Sequence, residues 1–238
     1  MKAASHLFKS IRQKYTQQVD VVDKIIERVE KCYNMEQDFL HKLSMNAKTE
    51  GEIREAAGNL VENVLQCIFD AINEYYTNAE VKSKVGSTDF LSKKIKYKGK
   101  EVEFNTIQVD RHVWQGNKRI CFIENKTYLD SCYYDRALSD FRKIAQSLKQ
   151  HRIDPASCKY IVFAGQNAAS DDTLFTYEAD FWEDTRHLTS DENGLETKIF
   201  FFLKGKRASA KPLYKIKHEI DRENLREFVK YLLRILGY

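Results

Sequence analysis

The chain is predicted to fold as an α/β domain in which helices flank a central mixed β-sheet, with a helical region in front. Three observations predict this. Two long amphipathic helical patterns occupy the first third of the sequence, strand-like and helix-like patterns then alternate, and only 9 Gly and 2 Pro punctuate 238 residues. So little punctuation favours long regular elements over a loop-rich all-β fold. A chain of this length can bury a sizeable core as one domain, 1–238. Within it, residues 1–80 form the helical N-terminal region, 86–205 the sheet-bearing core, and 217–238 a C-terminal helix.

The first helix is read over residues 6–45, where Leu7, Ile11, Tyr15, Val19, Val22, Ile25, Ile26, Val29 and Tyr33 recur at three- and four-residue spacing. Residues 52–76 repeat the pattern with Ile53, Ala57, Leu60, Val61, Val64, Leu65, Ile68, Phe69 and Ile72. Val85-Gly-Ser-Thr-Asp-Phe90 breaks it, and Lys94-Ile-Lys-Tyr97 and Val102-Glu-Phe-Asn then alternate in strand fashion around a turn at Lys98-Gly-Lys100. The stretch Val102 to Trp114 reads as one strand, closed by the hairpin turn Gln115-Gly-Asn-Lys118 onto the strand Arg119-Ile-Cys-Phe-Ile-Glu124-Asn-Lys126. Tyr133 to Gln150 returns to helical periodicity, Tyr160-Ile-Val-Phe-Ala164 reads as a buried strand, Lys198 to Leu203 as another, and Glu219 to Leu236 as an amphipathic helix. The acidic segment 171–196 is read as a connection between two strands.

Composition narrows the function class. No apolar run approaches the length of a membrane span, and Met1-Lys-Ala-Ala-Ser-His-Leu-Phe-Lys lacks the apolar core of a signal peptide, so a cytoplasmic protein without membrane association is expected. Five Cys without a close CxxC pair read as free thiols rather than a disulfide framework or a structural zinc site. Net charge is only +4, yet its distribution is uneven. Residues 82–100 and 204–217 are rich in Lys and Arg, with Asp89 the single acid in either segment. Locally basic segments on a balanced surface suit contact with a phosphate backbone, although solvated Lys on exposed strands gives the same pattern.

The chemistry-bearing motif is Glu124-Asn125-Lys126. Side chains alternate along a strand, so Glu124 and Lys126 emerge on one face and Asn125 on the other. Glu-x-Lys also occurs at Glu80-Val-Lys82 and Glu196-Thr-Lys198, but only at Glu124 does it close a strand that has an acid, Asp110, on the preceding one. With Gly116 and Asn117 at the centre of the turn, Asp110 falls opposite Ile123 and diagonal to Glu124. A one-residue bulge or a longer loop brings it directly opposite Glu124, and either register lets the two carboxylates share a cation.

Asp110 on one strand with Glu124-Asn-Lys126 ending the next resembles the PD-(D/E)XK nuclease superfamily. The size and helical N-terminal region look most like type II restriction endonucleases. Val109, not Pro, precedes Asp110, which departs from the usual motif. The resemblance implies a restriction-endonuclease-like fold and a Mg²⁺-dependent, site-specific endonuclease acting on double-stranded DNA, working as a homodimer on a palindromic target. It implies Asp110, Glu124 and Lys126 as catalytic residues, with the metal held by Asp110, Glu124 and the backbone carbonyl of Asn125. Lys126 positions water and stabilises developing charge, since a general-base role requires a depressed pKa. The family commonly carries a helical Glu that reaches the metal through water. Here Glu62 in Gly58-Asn-Leu-Val-Glu62 looks like that feature, or is a solvent-facing helical Glu.

The residues expected to contact DNA are Lys93, Lys94, Lys96, Lys98, Arg136, Gln166, Asn167, Lys206 and Arg207, the two amides being of the kind that pair with adenine. Softer candidates are Asp89, which also suits a turn or cap, and His112, two residues past Asp110. Two other readings stay open: a structure-specific repair or mobile-element nuclease, and a non-catalytic DNA-binding protein on a nuclease-like fold.

Overall fold

The computed structural model describes residues 2–46, 49–76, 81–83, 91–107, 109–154, 157–189, 196–206 and 217–238. The elements run α1 (Lys2–Asn46), α2 (Glu50–Tyr75), β1 (Val81–Ser83), β2 (Leu91–Tyr97), β3 (Lys100–Ile107), β4 (Arg111–Gln115), β5 (Lys118–Leu129), α3 (Ser131–Gln150), β6 (Lys159–Asn167), α4 (Asp171–Thr189), β7 (Glu196–Phe201) and α5 (Arg222–Ile235). Strands β1-β4-β5-β6-β7 form a mixed sheet, antiparallel on the β1-β4-β5 side and parallel through β5-β6-β7. The parallel pairs are joined by the crossover helices α3 and α4, as parallel pairing requires. No described helix is long and apolar enough to cross a membrane.

Local chemistry sets the helix starts. Thr49 caps α2 by accepting the Glu52 N–H at 3.3 Å, and Glu50 and Glu52 place negative charge at the first turn. Asp130 caps α3 through the Tyr133 N–H at 3.0 Å, and Asp221 caps α5 through the Asn224 N–H at 3.1 Å. Ser170 does the same for α4, accepting the Thr173 N–H at 3.1 Å.

The sheet is covered on both faces. On one, α1, α2 and α5 bury Ile25, Val29, Leu60, Val64, Ile68, Phe228 and Leu232 against Val113, Cys121, Ile123, Ile161 and Phe163. On the other, α3 buries Tyr134, Phe141 and Ile144 against Phe122, Tyr160 and Val162, with Leu174 and Tyr177 of α4 at the margin. Alternate residues of β5 and β6 thus enter opposite cores, as the period of two dictates. Each fully buried Leu, Ile or Phe contributes about 1.5–3 kcal/mol, so the double-sided burial of β5 and β6 anchors the middle of the sheet.

Two expectations are corrected, and a register left open is decided. Val102 to Trp114 is not one strand. It breaks at Val109–Asp110 into β3, which pairs with β2 in a separate two-stranded sheet against α3, and β4, which joins the main sheet. The break arises because Val109 turns fully into the α3-side core while the Asp110 side chain bonds across to β5. The acidic segment is not merely a connection: α4 occupies Asp171–Thr189. Leu174 and Tyr177 set it against the margin of the α3-side core, with Tyr177 stacked on Tyr134 at 4.7 Å. The hairpin register also carries a bulge. Gly116 adopts φ 58°, Gln115 pairs Lys118 and Trp114 pairs Arg119, but Val113 pairs Cys121, leaving Ile120 extra. Arg111 therefore pairs Ile123, and the register carried one step further sets Asp110 opposite Glu124.

Candidate active site

Beyond Arg111, β4 peels away from β5, and from Glu124 onward β5 is paired only with β6. The notch left by this divergence holds the candidate site. Asp110 stands at the bend, 35% exposed at its side chain, while Glu124 and Lys126 are 5% and 13% exposed. The Asn125 backbone N–H donates to Asp110 Oδ2 at 2.7 Å, which is why the bend is held against the strand.

Lys126 and Glu124 lie on one face of β5, and their side chains are bonded ammonium to carboxylate. Lys126 Nζ also donates to the Asn125 carbonyl at 3.0 Å and lies 3.6 Å from Asp110 Oδ2. Three oxygens, from Asp110, Glu124 and Asn125, thus converge on one positive charge. The second carboxylate oxygen, Glu124 Oε2, is buried and without a hydrogen-bond partner, as are both amide atoms of Asn125. An unpaired buried carboxylate oxygen costs free energy, so this atom is left ready for a ligand.

Burial raises the Glu124 pKa above the ordinary carboxylate value, and the Asp110 charge adds to the rise while Lys126 opposes it. Asp140 of α3 contributes in the same direction from farther off and is paired with Lys143 at 2.7 Å. Beneath the site, Tyr160 is fully buried and donates its hydroxyl to the Ala137 carbonyl at 3.2 Å. Its pKa is raised well above the ordinary value by burial and then by Glu124, so the phenol stays a neutral wall.

The donor set suits a hard cation. Two carboxylates and a carbonyl are the kind of partial shell with which Mg²⁺ is held, the remaining positions being water. Among the described residues no group of three or more His, Cys, Asp or Glu side chains is arranged to hold a metal ion.

The remaining candidates are placed unevenly. Glu62 approaches from the α2 layer and accepts from Arg111 at 3.3 Å, so its carboxylate is engaged next to Asp110 rather than with the three oxygens. Gln166 is buried and spends its amide donor inside the fold, on the Lys204 carbonyl at 2.9 Å and the His218 ring at 3.1 Å, which corrects its reading as a base contact. Asn167 is likewise buried and accepts the Ala169 N–H at 2.9 Å. His112 is buried with its ring edge-on to Phe122 at 5.2 Å, away from any groove. Lys93, Lys94 and Lys96 lie on β2, with Lys96 exposed, and Lys98 is exposed at the tip of the β2-β3 ribbon with φ 48°. Arg136 is exposed on α3, and Lys206 is exposed and paired with Asp171 at 2.5 Å. Asp89 and Arg207 lie outside the described residues.

Sequence reasoning did not find Arg111, Asp140 or Tyr160. Arg111 was legible only as the neighbour of Asp110. Asp140 and Tyr160 gain their place from the packing of α3 and β6 on β5, for which a single sequence carries no local signal. No protein-family model matches the chain, and no curated protein sequence matches it.

Proposed function

We propose that the chain is a Mg²⁺-dependent endonuclease with a restriction-endonuclease-like fold that hydrolyses phosphodiester bonds of double-stranded DNA at specific sites, as a type II restriction enzyme does. The observation that carries this reading is the convergence of Asp110 Oδ2, a Glu124 oxygen and the Asn125 carbonyl on one cation position, with Glu124 Oε2 buried and unpartnered beside it.

A Mg²⁺ held there by Asp110, Glu124 and the Asn125 carbonyl would supply a water made nucleophilic near neutral pH and offset charge growing on the phosphate. Asp110 and Glu124 hold the cation position. The Asn125 N–H fixes the Asp110 carboxylate, so the ligand geometry is set before anything binds. Lys126, whose ammonium the three oxygens hold in the absence of a metal, would be freed by a bound cation to face the attacking water and the phosphate oxygens and stabilise charge that develops in the transition state. The Tyr160 side of the notch is buried, and burial strengthens each of these interactions. The basic β2-β3 ribbon and exposed Arg136 are offered to the DNA backbone, and a homodimer matches a two-fold symmetric target.

The test is incubation of the purified protein with long unmodified bacteriophage DNA, with Mg²⁺ or with chelator, beside Asp110→Ala and Lys126→Ala. Discrete bands that require Mg²⁺ and vanish in both variants are expected. Retained cleavage in both variants moves the site elsewhere. DNA binding without cleavage by the wild type, on linear and branched substrates alike, overturns the enzymatic reading.

A further inference from the structure

The candidate active site uses none of the five cysteines, yet two of them are placed together. Helices α1 and α2 pack antiparallel, with Arg28 ion-paired to Glu74 near one end. Cys32 Sγ lies 3.8 Å from the Asn63 carbonyl, and Cys67 Sγ lies 3.9 Å from the Arg28 carbonyl. Arg28 is one turn before Cys32, and Asn63 is one turn before Cys67, so each thiol reaches the turn that precedes the other cysteine. Helical side chains lean toward the N-terminus, and on antiparallel helices this reciprocal lean brings the two sulfurs together. These reciprocal contacts seat both thiols side by side in the groove between the helices. Both residues are only half-buried, in contrast to the buried Cys121 and Cys158.

The surroundings make the two thiols unequal. The neighbouring Cys32 and the Arg28 guanidinium lower the Cys67 pKa against the opposing effects of burial and Asp70. The proximity of Cys67 raises Cys32, with burial and Glu36 acting in the same direction. Cys67, beside the Arg28 cation, is therefore the more easily ionised of the two thiols.

We propose that Cys32 and Cys67 form a thiol-modification site that takes a low-molecular-weight disulfide and closes into a Cys32–Cys67 bond tying α1 to α2. The Cys67 thiolate attacks one sulfur of the small disulfide, forming a mixed disulfide and expelling one small thiolate. Cys32 loses its proton to solvent and attacks Cys67 Sγ, forming the internal bond and expelling the second. Two protein thiols are oxidised and one small disulfide is reduced to two small thiols. Cys132 is the exposed comparator, on the first turn of α3 and outside this groove. The inference does not depend on the nuclease reading.

The experiment treats the folded full chain with oxidised glutathione, quenches in acid, alkylates the remaining thiols and maps tryptic peptides by mass spectrometry. In the wild-type monomer the peptide Cys32–Lys42 is expected to be joined to Glu55–Lys82. Cys32→Ser should stop at a glutathione adduct on Cys67, and Cys67→Ser should give no adduct on Cys32, with circular dichroism confirming that both variants remain helical. Recovery of both cysteines alkylated in wild type, under conditions that modify Cys132, overturns the proposal. An adduct on Cys32 in Cys67→Ser overturns the assignment of Cys67 as the nucleophile.

Discussion

Asp110 and Asn125 are joined by a hydrogen bond of 2.7 Å from the Asn125 backbone N–H to the Asp110 carboxylate, so the bend that opens β4 is fastened to the centre of the Glu124-Asn125-Lys126 motif. One carboxylate therefore both closes the backbone and supplies an oxygen to the cation position.

These two roles separate by substitution. Asp110→Asn keeps an acceptor for the Asn125 N–H and should stay within about 1 kcal/mol of wild-type stability. Its DNA cleavage should fall by at least about 100-fold, because the charge is gone. Asp110→Ala loses the acceptor as well and should be destabilised by a further ~1 kcal/mol, the modest size reflecting a side chain one-third exposed. Urea denaturation and a cleavage assay on the same preparations decide this, and full activity in Asp110→Asn removes Asp110 from the site.

Glu124 links pH to stability. Its folded-state pKa lies above the unfolded one, so the folded protein binds this proton more tightly than the unfolded chain does. As pH rises from the ordinary carboxylate range through the raised value, the site loses stability. Glu124→Gln, which mimics the protonated acid, should flatten that slope and be at least as stable as wild type near neutral pH while losing cleavage. Urea midpoints at about pH 5 and about pH 8 measure it. A Gln variant weaker than wild type at the higher pH contradicts the cost assigned to this buried charge.

Lys126 occupies the cation position in the structure. Lys126→Met leaves the Glu124 and Asp110 carboxylates facing one another with no counter-charge and should cost about 3 kcal/mol near neutral pH. Mg²⁺ should recover part of that loss, so its effect on the Tm of Lys126→Met should exceed its effect on wild type. Equal shifts in the two proteins would mean that the ammonium and the metal do not share a place. This readout is independent of activity.

Gly165 holds β5 and β6 close beside the site. A Cβ added there would sit 2.4 Å from the Thr127 carbonyl oxygen and 3.4 Å from a Leu203 methyl, and neither strand is free to move without disturbing the β5-β6 register at Lys126. Gly165→Ala should destabilise by about 3 kcal/mol. Thermal unfolding checks it, and an unchanged Tm would show that the strands can part at this point without loss.

The sequence by itself determined the layered α/β plan and the motif's face. Apolar residues at helical spacing in α1, α2, α3 and α5, and the unbroken apolar run Tyr160 to Ala164, state their periods locally and need no partner to be read. Glu124 and Lys126 share a face because a strand repeats every two residues, whatever surrounds it. The tertiary structure alone decided the rest. It chose between the two hairpin registers by placing a bulge at Ile120, which fits Cys121 and Val113 into one core and Phe122 into the other. It split the expected strand at Asp110, because a core site for Val109 and a backbone donor on β5 together outweigh straight continuation. It set α4, in the acidic segment, against the margin of the α3-side core and turned Gln166 inward to the Lys204 carbonyl. It paired Cys32 with Cys67 across 35 positions of sequence, because two helices chose to lie antiparallel. Periods are local properties of a chain, whereas bulges, bends and long-range pairs are set by which cores must be filled at once.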